Sequence, residues 1–553
     1  MRFFKPILSG LITAALSACG GGDGGSNTAL TANSTSAAPA PAPAPTSISS
    51  VTISGSLTYD RVPHKENSSL DYAGTVSLPV RGAVIEAVDT AGRLLASSVS
   101  KPDGSYELSL DAGIQARLQV KAQLLSNETA KWNFQVTDNT QQNTVYALQG
   151  SLASTGNSPA QIRDLHAPHG WTGQSYGNER AAAPFAILDT VYSAAQAFAE
   201  IDPNIEFPPL ELHWSENNTT AIGDKSVGQI GTSFYAPNEG AIYILGQENA
   251  DTDEYDHHVI VHEWGHYFEH QMSRTDSIGG LHSLNDRLDA RVAFSEGWGN
   301  ALSAIITGDP VYRDSSGRQQ AAGFSYNLES RNVSNPGWFN EASIGAIIYD
   351  IYDVHTDDFD DISAGLSPLY NVMRSETYKQ SPVFSTIFAF ADGLRSQGDI
   401  SHDAFNTLLE GHAISGFGPE GNGESNNGAI QSSLPLYKEI ISNGAPIQLC
   451  SLDDAGVFNK LGNRDFIFLT LPARNEVTIS AKKINGKDNR DPNFKIWQAG
   501  QLLHQSTGTD TDTEVFLGNL EAGMYVIEVF DALNVNGNSS QRGDSCYELS
   551  VEG

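Results

Sequence analysis

Val261-His262-Glu263-Trp264-Gly265-His266-Tyr267-Phe268 decides how the centre of this chain is read. At about 100° per residue, a helix through it puts His262 and His266 one turn apart on one face, so both imidazoles can reach a single ion. Glu263 stands beside them, near water at the ion but off the line of ligands. On the same wheel Ile260, Trp264, Tyr267 and Phe268 gather on one side and His258, His262 and His266 on the other. That is the pattern of one face packed in a core and the other lining a cleft. With 14 His in 553 residues, chance matches to H-E-x-x-H are expected on the order of 0.02 times.

A hydrolytic zinc site keeps three protein ligands and leaves a position for water. A metzincin would need Gly three residues and His six residues after His266, where this chain has Glu269 and Met272. His258 and His270 are each a further turn along one straight helix and cannot join the same tetrahedral ion. Glu296 is the best third ligand. Trp298, Ala301, Leu302, Ile305 and Ile306 form an apolar helical stripe after it, leaving Glu296 and Asn300 together on another face. Asp286 and Asp289 are the alternatives.

With His262, Glu263, His266 and Glu296 in place, residues 241–306 resemble the gluzincin metallopeptidases, the group that includes thermolysin-like enzymes. The resemblance implies an α+β zincin-like catalytic domain that hydrolyses peptide bonds, with zinc on His262, His266 and Glu296 and Glu263 as general base. It also implies a Tyr or His donor to the oxyanion. Tyr349, in a helical stretch over 343–353, is the first candidate, and His282, Tyr352 and His355 compete. Two features depart from the thermolysin-like pattern. The gap from His266 to Glu296 is long, requiring an extra loop over about 272–289. Asn300 stands where those enzymes carry an aspartate that orients a ligand histidine, and an amide polarises the imidazole less.

Residues 1–18 have a basic start (Arg2, Lys5) and an apolar run too short to span a bilayer as a mature helix, so they read as a signal peptide. Leu16-Ser17-Ala18-Cys19 resembles a bacterial lipobox, which implies lipidation of Cys19 and a membrane-anchored lipoprotein of the cell envelope, at the outer membrane or cell surface. Cys450 and Cys546 are the only other cysteines, and in an oxidising compartment they are expected to form a disulfide worth about 4 kcal/mol. A formal charge of −33 argues against nucleic acid and anionic membrane surfaces as partners. The expected partners are a peptide or protein substrate and the membrane that takes the lipid anchor.

Working outward, residues 19–50 are a Gly/Ala/Pro-rich tether. Residues 51–150 show short alternating strands and an Asp103-Gly104 turn, predicting a β-sandwich. Pro79-Val80-Arg81-Gly82-Ala83-Val84 and Asp103-Gly104-Ser105-Tyr106 resemble the regulatory-like, transthyretin-type sandwiches of secreted enzymes. Residues 160–444 hold longer helical segments: 181–201 reads as a buried helix, and 233–235 and 241–245 as strands around a turn at 237–240, presenting an edge to an extended substrate just before the metal helix. Residues 447–553 return to strands, near 465–472, 477–480, 494–497 and 525–529, and read as a second β-sandwich. Asp465-Phe466, Asp491-Pro492-Asn493-Phe494 and Leu517-Gly518-Asn519-Leu520 resemble the pre-peptidase C-terminal domain. The expected fold is therefore multidomain, a zincin-like centre flanked by two β-sandwiches.

Two acidic groups raise calcium as a second metal: Asp350, Asp353, Asp357, Asp358, Asp360 and Asp361, and Asp510, Asp512 and Glu514. Neither matches an EF-hand loop, and a solvated acidic loop is the ordinary reading. Two rivals to a peptidase remain: a non-catalytic surface binding or adhesion lipoprotein, and a zinc hydrolase of a non-peptide bond. An intact Glu263 speaks against the first, since a structural zinc site has no use for a base there.

Overall fold

Strand Lys131–Asp138 pairs in parallel with Leu210–Trp214, matching Phe134 with Leu210 and Thr137 with His213, and this pairing joins the two ends of the molecule's largest sheet. In the computed structural model, which describes residues 49–330, 332–354, 362–487, 490–508 and 512–553, that sheet runs in the order Phe234–Ala236, Ala241–Ile244, Leu210–Trp214, Lys131–Asp138, Gln115–Asn127, Ala83–Val88, Leu94–Val99. The expected strands near 83–88 and 116–122 and the strands around the 237–240 turn are therefore members of one sheet. A second sheet is centred on Ser50–Arg61, which pairs with Ser105–Asp111 and Val76–Pro79 and, in parallel, with Ala160–Ile162 and Leu165–Ala167. Both sheets cross the stretch around residue 150, and one hydrophobic core runs from Val51 through the helical region. Alternation along each strand buries its inner row, as in Ala116, Leu118, Val120, Ala122 and Leu124.

Four helices carry the centre. Helix α1 (Ala183–Ile201), α2 (His257–Met272), α3 (Ala290–Thr307) and α4 (Glu341–Tyr352) pack in sequence. Phe198 of α1 stacks on Phe268 of α2 with ring centroids 4.4 Å apart. Trp264, Tyr267 and Phe268 are fully buried, each contributing about 1.5–3 kcal/mol of apolar burial. Helices α2 and α3 approach closely where Gly265 faces Gly299, and a Cβ on Gly265 would lie 3.2 Å from the Gly299 Cα. Helix α3 starts on Asp289, whose carboxylate accepts from the Arg291 N–H at 3.1 Å, and ends on Gly308 at φ +66°.

The C-terminal strands form two facing sheets. One runs Tyr437–Ile440, Arg464–Leu471, Gly523–Asp531, Pro492–Gln498, Gln501–Ser506, and the other Ile447–Ser451, Ser545–Glu552, Asn475–Asn485, Thr513–Leu520. Ile467, Leu469, Val477, Ile479, Ile527, Leu549 and Val551 fill the layer between them. Cys450 and Cys546 face each other across neighbouring strands and are disulfide-bonded, with Cα atoms 4.0 Å apart. This sandwich is joined to the helical region by charge as well as by packing. Arg291 at the start of α3 reaches Glu528 at 3.0 Å and Asp289 at 2.8 Å, and all three side chains are buried. No described helix is long and apolar enough to cross a membrane. The signal segment, Cys19, His355, Asp357, Asp358, Asp360, Asp361 and Asp510 lie outside the described residues.

Candidate metal centre

Helices α2 and α3 bring three donor atoms together. His262 Nε2 lies 3.0 Å from His266 Nε2 and 3.1 Å from Glu296 Oε2, and His266 Nε2 lies 3.3 Å from the same oxygen. A tetrahedral zinc ion at 2.0–2.1 Å from N and O donors needs those donors about 3.3 Å apart. Two imidazole nitrogens this close repel unless a cation or a proton lies between them, so the donor set fits zinc in spacing and in chemistry.

The far side of each imidazole is fixed. His262 Nδ1 donates to Asn300 Oδ1 at 3.0 Å. His266 Nδ1 lies 3.2 Å from Ser295 Oγ, which donates to Glu269 Oε2 at 2.5 Å. These bonds hold the protons on Nδ1 and turn both Nε2 lone pairs toward the common point. Asn300 stands on the face the helix pattern gives it, whereas no spacing in the sequence marks Ser295 or Glu269 for this orienting role. Serine at 295 is on the wheel beside Glu296 and carries no signal of its own.

Glu263 sits one step aside, buried, with Oε2 accepting the Tyr235 backbone N–H at 2.7 Å. Tyr235 belongs to the edge strand Phe234–Ala236, so the sheet edge and the acid–base group are tied together. Burial raises the Glu263 pKa, while His262 and His266 pull it back. Burial also disfavours the His266 cation, yet the Glu296 carboxylate outweighs this and pushes it up to about 9. At Glu296 burial opposes ionisation, but His266, His262 and His282 together hold the carboxyl well below its usual range.

The alternatives for the third ligand are placed elsewhere. Asp289 caps α3 and pairs with Arg291, and Asp286 faces Lys460 at 3.4 Å. His258 turns to the Asp309 carbonyl at 3.1 Å, and His270 to the Tyr235 hydroxyl at 2.8 Å.

The oxyanion donor expected at Tyr349 does not reach the site. Helix α4 presents its first residue, Glu341, to the centre, and Tyr349 lies two turns further on, about 12 Å along the axis, beside Tyr352, Asp353 and Glu329. His282 is brought in instead. Its Nδ1 is 2.7 Å from Glu341 Oε2 and its Nε2 is 3.3 Å from Glu296 Oε2. Partial desolvation at the cleft wall works against the His282 cation, but the hydrogen bond to Glu341 and the charge of Glu296 outweigh it and push the pKa up to about 9. The loop after α2 was foreseen as an insertion; that its histidine returns to Glu296 is set by contacts distant in sequence.

His262, Glu263, His266, Glu296, Asn300, His282 and Glu341 line one cleft of about 1000 Å³, walled by Phe234, Tyr235, Tyr312, Phe324 and Tyr326. The same wall carries an acidic group not foreseen from sequence: Asp251, Asp253 and Asp314 offer carboxylate oxygens within 4.8 Å of one another. Burial, then repulsion from Asp256 and Asp251, pushes Asp314 up to about 8, and burial with Asp256 pushes Asp251 up to about 6. Of the acidic groups named from sequence, Asp350 and Asp353 are buried on and just after α4, and Glu514 accepts from Ser506 Oγ.

Residues 196–409 match the family model of the mycolysin C-terminal domain. The matched span contains α2 and α3 whole, and with them His262, Glu263, His266 and Glu296. No curated protein matches this chain. Among solved structures, the pre-peptidase C-terminal domain of collagenase from Bacillus anthracis is 14% identical, covering 21% of this chain and 93% of that one at a TM-score of 0.16. PliG, a periplasmic lysozyme inhibitor of g-type lysozyme from Aeromonas hydrophila, is 22% identical over 21% of this chain and 95% of its own, at a TM-score of 0.13. TM-scores of this size do not establish a shared fold.

Proposed function

We propose that this chain is an exported zinc-dependent endopeptidase of gluzincin type. The observation that carries the reading is the meeting of His262 Nε2, His266 Nε2 and Glu296 Oε2 within 3.3 Å, with a buried carboxylate beside them in a large cleft. The mycolysin match over the same residues supports it. Export and anchoring rest on residues 1–18 and Cys19 as sequence features.

The chemistry a zinc ion supplies on His262, His266 and Glu296 is Lewis acidity, which activates water near neutral pH and polarises a carbonyl. Glu263 does the proton work. The Tyr235 N–H fixes its Oε2, leaving Oε1 to take a proton from the attacking water and return it to the leaving amine. The buried setting that raises its pKa suits a group that must both accept and release a proton. His282, held by Glu341 and facing the cleft, is the donor for the developing oxyanion, the role expected of Tyr349. The edge strand Phe234–Ala236 lies where an extended peptide can pair with it.

The test is casein cleavage and bound-zinc content for the wild type and for Glu263→Gln. The expected result is one zinc per chain in both proteins and a loss of about 10²–10⁴ in kcat for the variant. Absence of zinc from the wild type, or a variant as fast as the wild type, overturns the reading.

A further inference from the structure

His282 reaches the metal centre from an irregular segment, residues 273–289, between α2 and α3. Such a loop cannot hold an imidazole in place by its own backbone, because it closes few hydrogen bonds with itself. Downstream of His282 the helical region supplies support: Asn340 Nδ2 donates to the Leu284 carbonyl at 2.8 Å. On the upstream side, the carbonyls of Gly279 and Leu281 are both taken by the C-terminal sandwich. Asn459 Nδ2 donates to Gly279 O at 2.8 Å, and Lys460 Nζ donates to Leu281 O at 2.6 Å.

The same short stretch follows the loop to its end. Lys460 faces Asp286 at 3.4 Å, the Leu461 N–H donates to Arg287 O at 2.9 Å, and the Asp289 N–H donates to Asn459 O at 2.8 Å. Leu288 and Lys460 form an isolated antiparallel bridge. Gly280, at φ +100°, lies against the Phe458 ring so closely that a Cβ would come within 2.4 Å of it. Asn459 is 1% exposed, so its amide is committed to this contact. Leu281, the residue before His282, is 91% exposed, so apolar packing does not hold it. The hydrogen bonds from Asn459 and Lys460 are what fix the backbone there.

We propose that residues 458–461 of the C-terminal sandwich are a clamp that positions His282 over the metal centre, which makes the sandwich part of the catalytic unit rather than an appendage. The proposal rests on the peptidase reading for its effect on rate and stands on contacts alone for its effect on the loop. Asn459 and Lys460 are positioning residues; they touch neither the metal ligands nor the cleft. The segment is tied at its start by Arg274 and Asp276 to residues 381–385 and after His282 by Asn335 and Asn340, so releasing the stretch at 279–281 loosens His282 without unfolding α2 or α3.

The test uses the full chain with Asn459→Ala, Lys460→Ala, Lys460→Arg, His282→Gln and the double variant His282→Gln/Asn459→Ala. Hydrogen exchange is followed over residues 277–286, alongside zinc content and casein kinetics. The expected result is faster exchange in that segment for Asn459→Ala and Lys460→Ala, unchanged zinc content, and a fall of about tenfold in kcat with little change in KM. Lys460→Arg keeps the donor and restores the rate. In the double variant the loss should equal that of His282→Gln alone, because a displaced imidazole and an absent one are equivalent.

Unchanged exchange in the single variants overturns the clamp whatever the activity. Additive losses in the double variant overturn its action through His282. If the wild type itself cleaves no casein, the peptidase reading falls and the exchange measurement still decides the clamp.

Discussion

Gly299 of α3 lies against the ring of His262, the proposed ligand, and Gly299→Ala tests whether that contact sets the geometry of the donor atoms. A Cβ at this position would stand 2.9 Å from His262 Nδ1, 2.9 Å from Cε1 and 3.1 Å from Cγ. Ordinary carbon contacts lie near 3.5–4.0 Å, so the ring must move by roughly 0.5–1 Å. The ring is fixed by Asn300 at 3.0 Å on one side and faces Glu296 and His266 at 3.1 and 3.0 Å on the other. A shift of this size breaks the Asn300 bond, worth about 1 kcal/mol, and spreads the donor atoms.

Disturbing the partners that orient a metal-bound histidine costs about 10–100-fold in metal affinity, and that is the expected loss for Gly299→Ala. Helix propensity moves the other way, since Ala is favoured over Gly by about 1 kcal/mol in a helix interior. The signature is therefore weakened zinc binding in a protein that remains folded. Competition with a chromophoric zinc chelator reads the affinity, and circular dichroism reads the fold. Zinc affinity equal to that of the wild type would show that the α2–α3 approach does not position His262, and the reasoning would fail.

Glu528→Ala should cost about 3–5 kcal/mol in urea unfolding, because it leaves buried Arg291 and Arg464 short of a carboxylate that lies 3.0 and 3.2 Å from them; a loss below about 1 kcal/mol would contradict this. Asp314 binds its proton more tightly folded than unfolded, so its penalty on stability is absent below the ordinary carboxylate range near pH 4 and grows until the pH passes about 8. Asp314→Asn should accordingly raise the melting temperature at pH 8 by a few degrees and by less at pH 5, and an equal shift at both would refute the assignment. Tyr349→Phe should keep kcat/KM on casein within about twofold, since that hydroxyl does not line the cleft.

The donor set was legible because it is local: the spacing within 262–266 and the stripe after Glu296 fix which side chains share a helical face, and helices of that length must bury the opposite face. The cross-strand meeting of Cys450 and Cys546 follows from their number and from the oxidising compartment that the N-terminal sequence leads one to expect, rather than from geometry. Tyr349 was misplaced because periodicity says which face a residue occupies and not which end of the helix meets a neighbour; Glu341 meets it instead. His282 sits in a stretch with no period at all, so nothing local marks where it points. The acidic group of Asp251, Asp253 and Asp314 joins residues about sixty positions apart and is created by strand pairing. The same holds for the sheets that run through residue 150, where composition changes and the hydrogen-bond ladder does not.

The parallel pairing of Lys131–Asp138 with Leu210–Trp214 also constrains the order in which the molecule can be assembled. As the chain emerges from its N-terminus, the strand at 131–138 presents an open edge until residue 214 has appeared, and that new strand is in turn open until Ala241–Ile244 closes over it. Contacts of such long sequence separation form slowly, and exposed edges recruit other chains while they wait. Fragments ending between about 140 and 209 should therefore aggregate rather than fold as a free β-sandwich. The histidine-bearing helix begins at His257, after the short strands Gly246–Gln247 and Asp251–Thr252, and packs on Phe234–Ala236 and Ala241–Ile244 as well as on α1 and α3. Part of its packing surface therefore exists only once the sheet begun near residue 83 is complete.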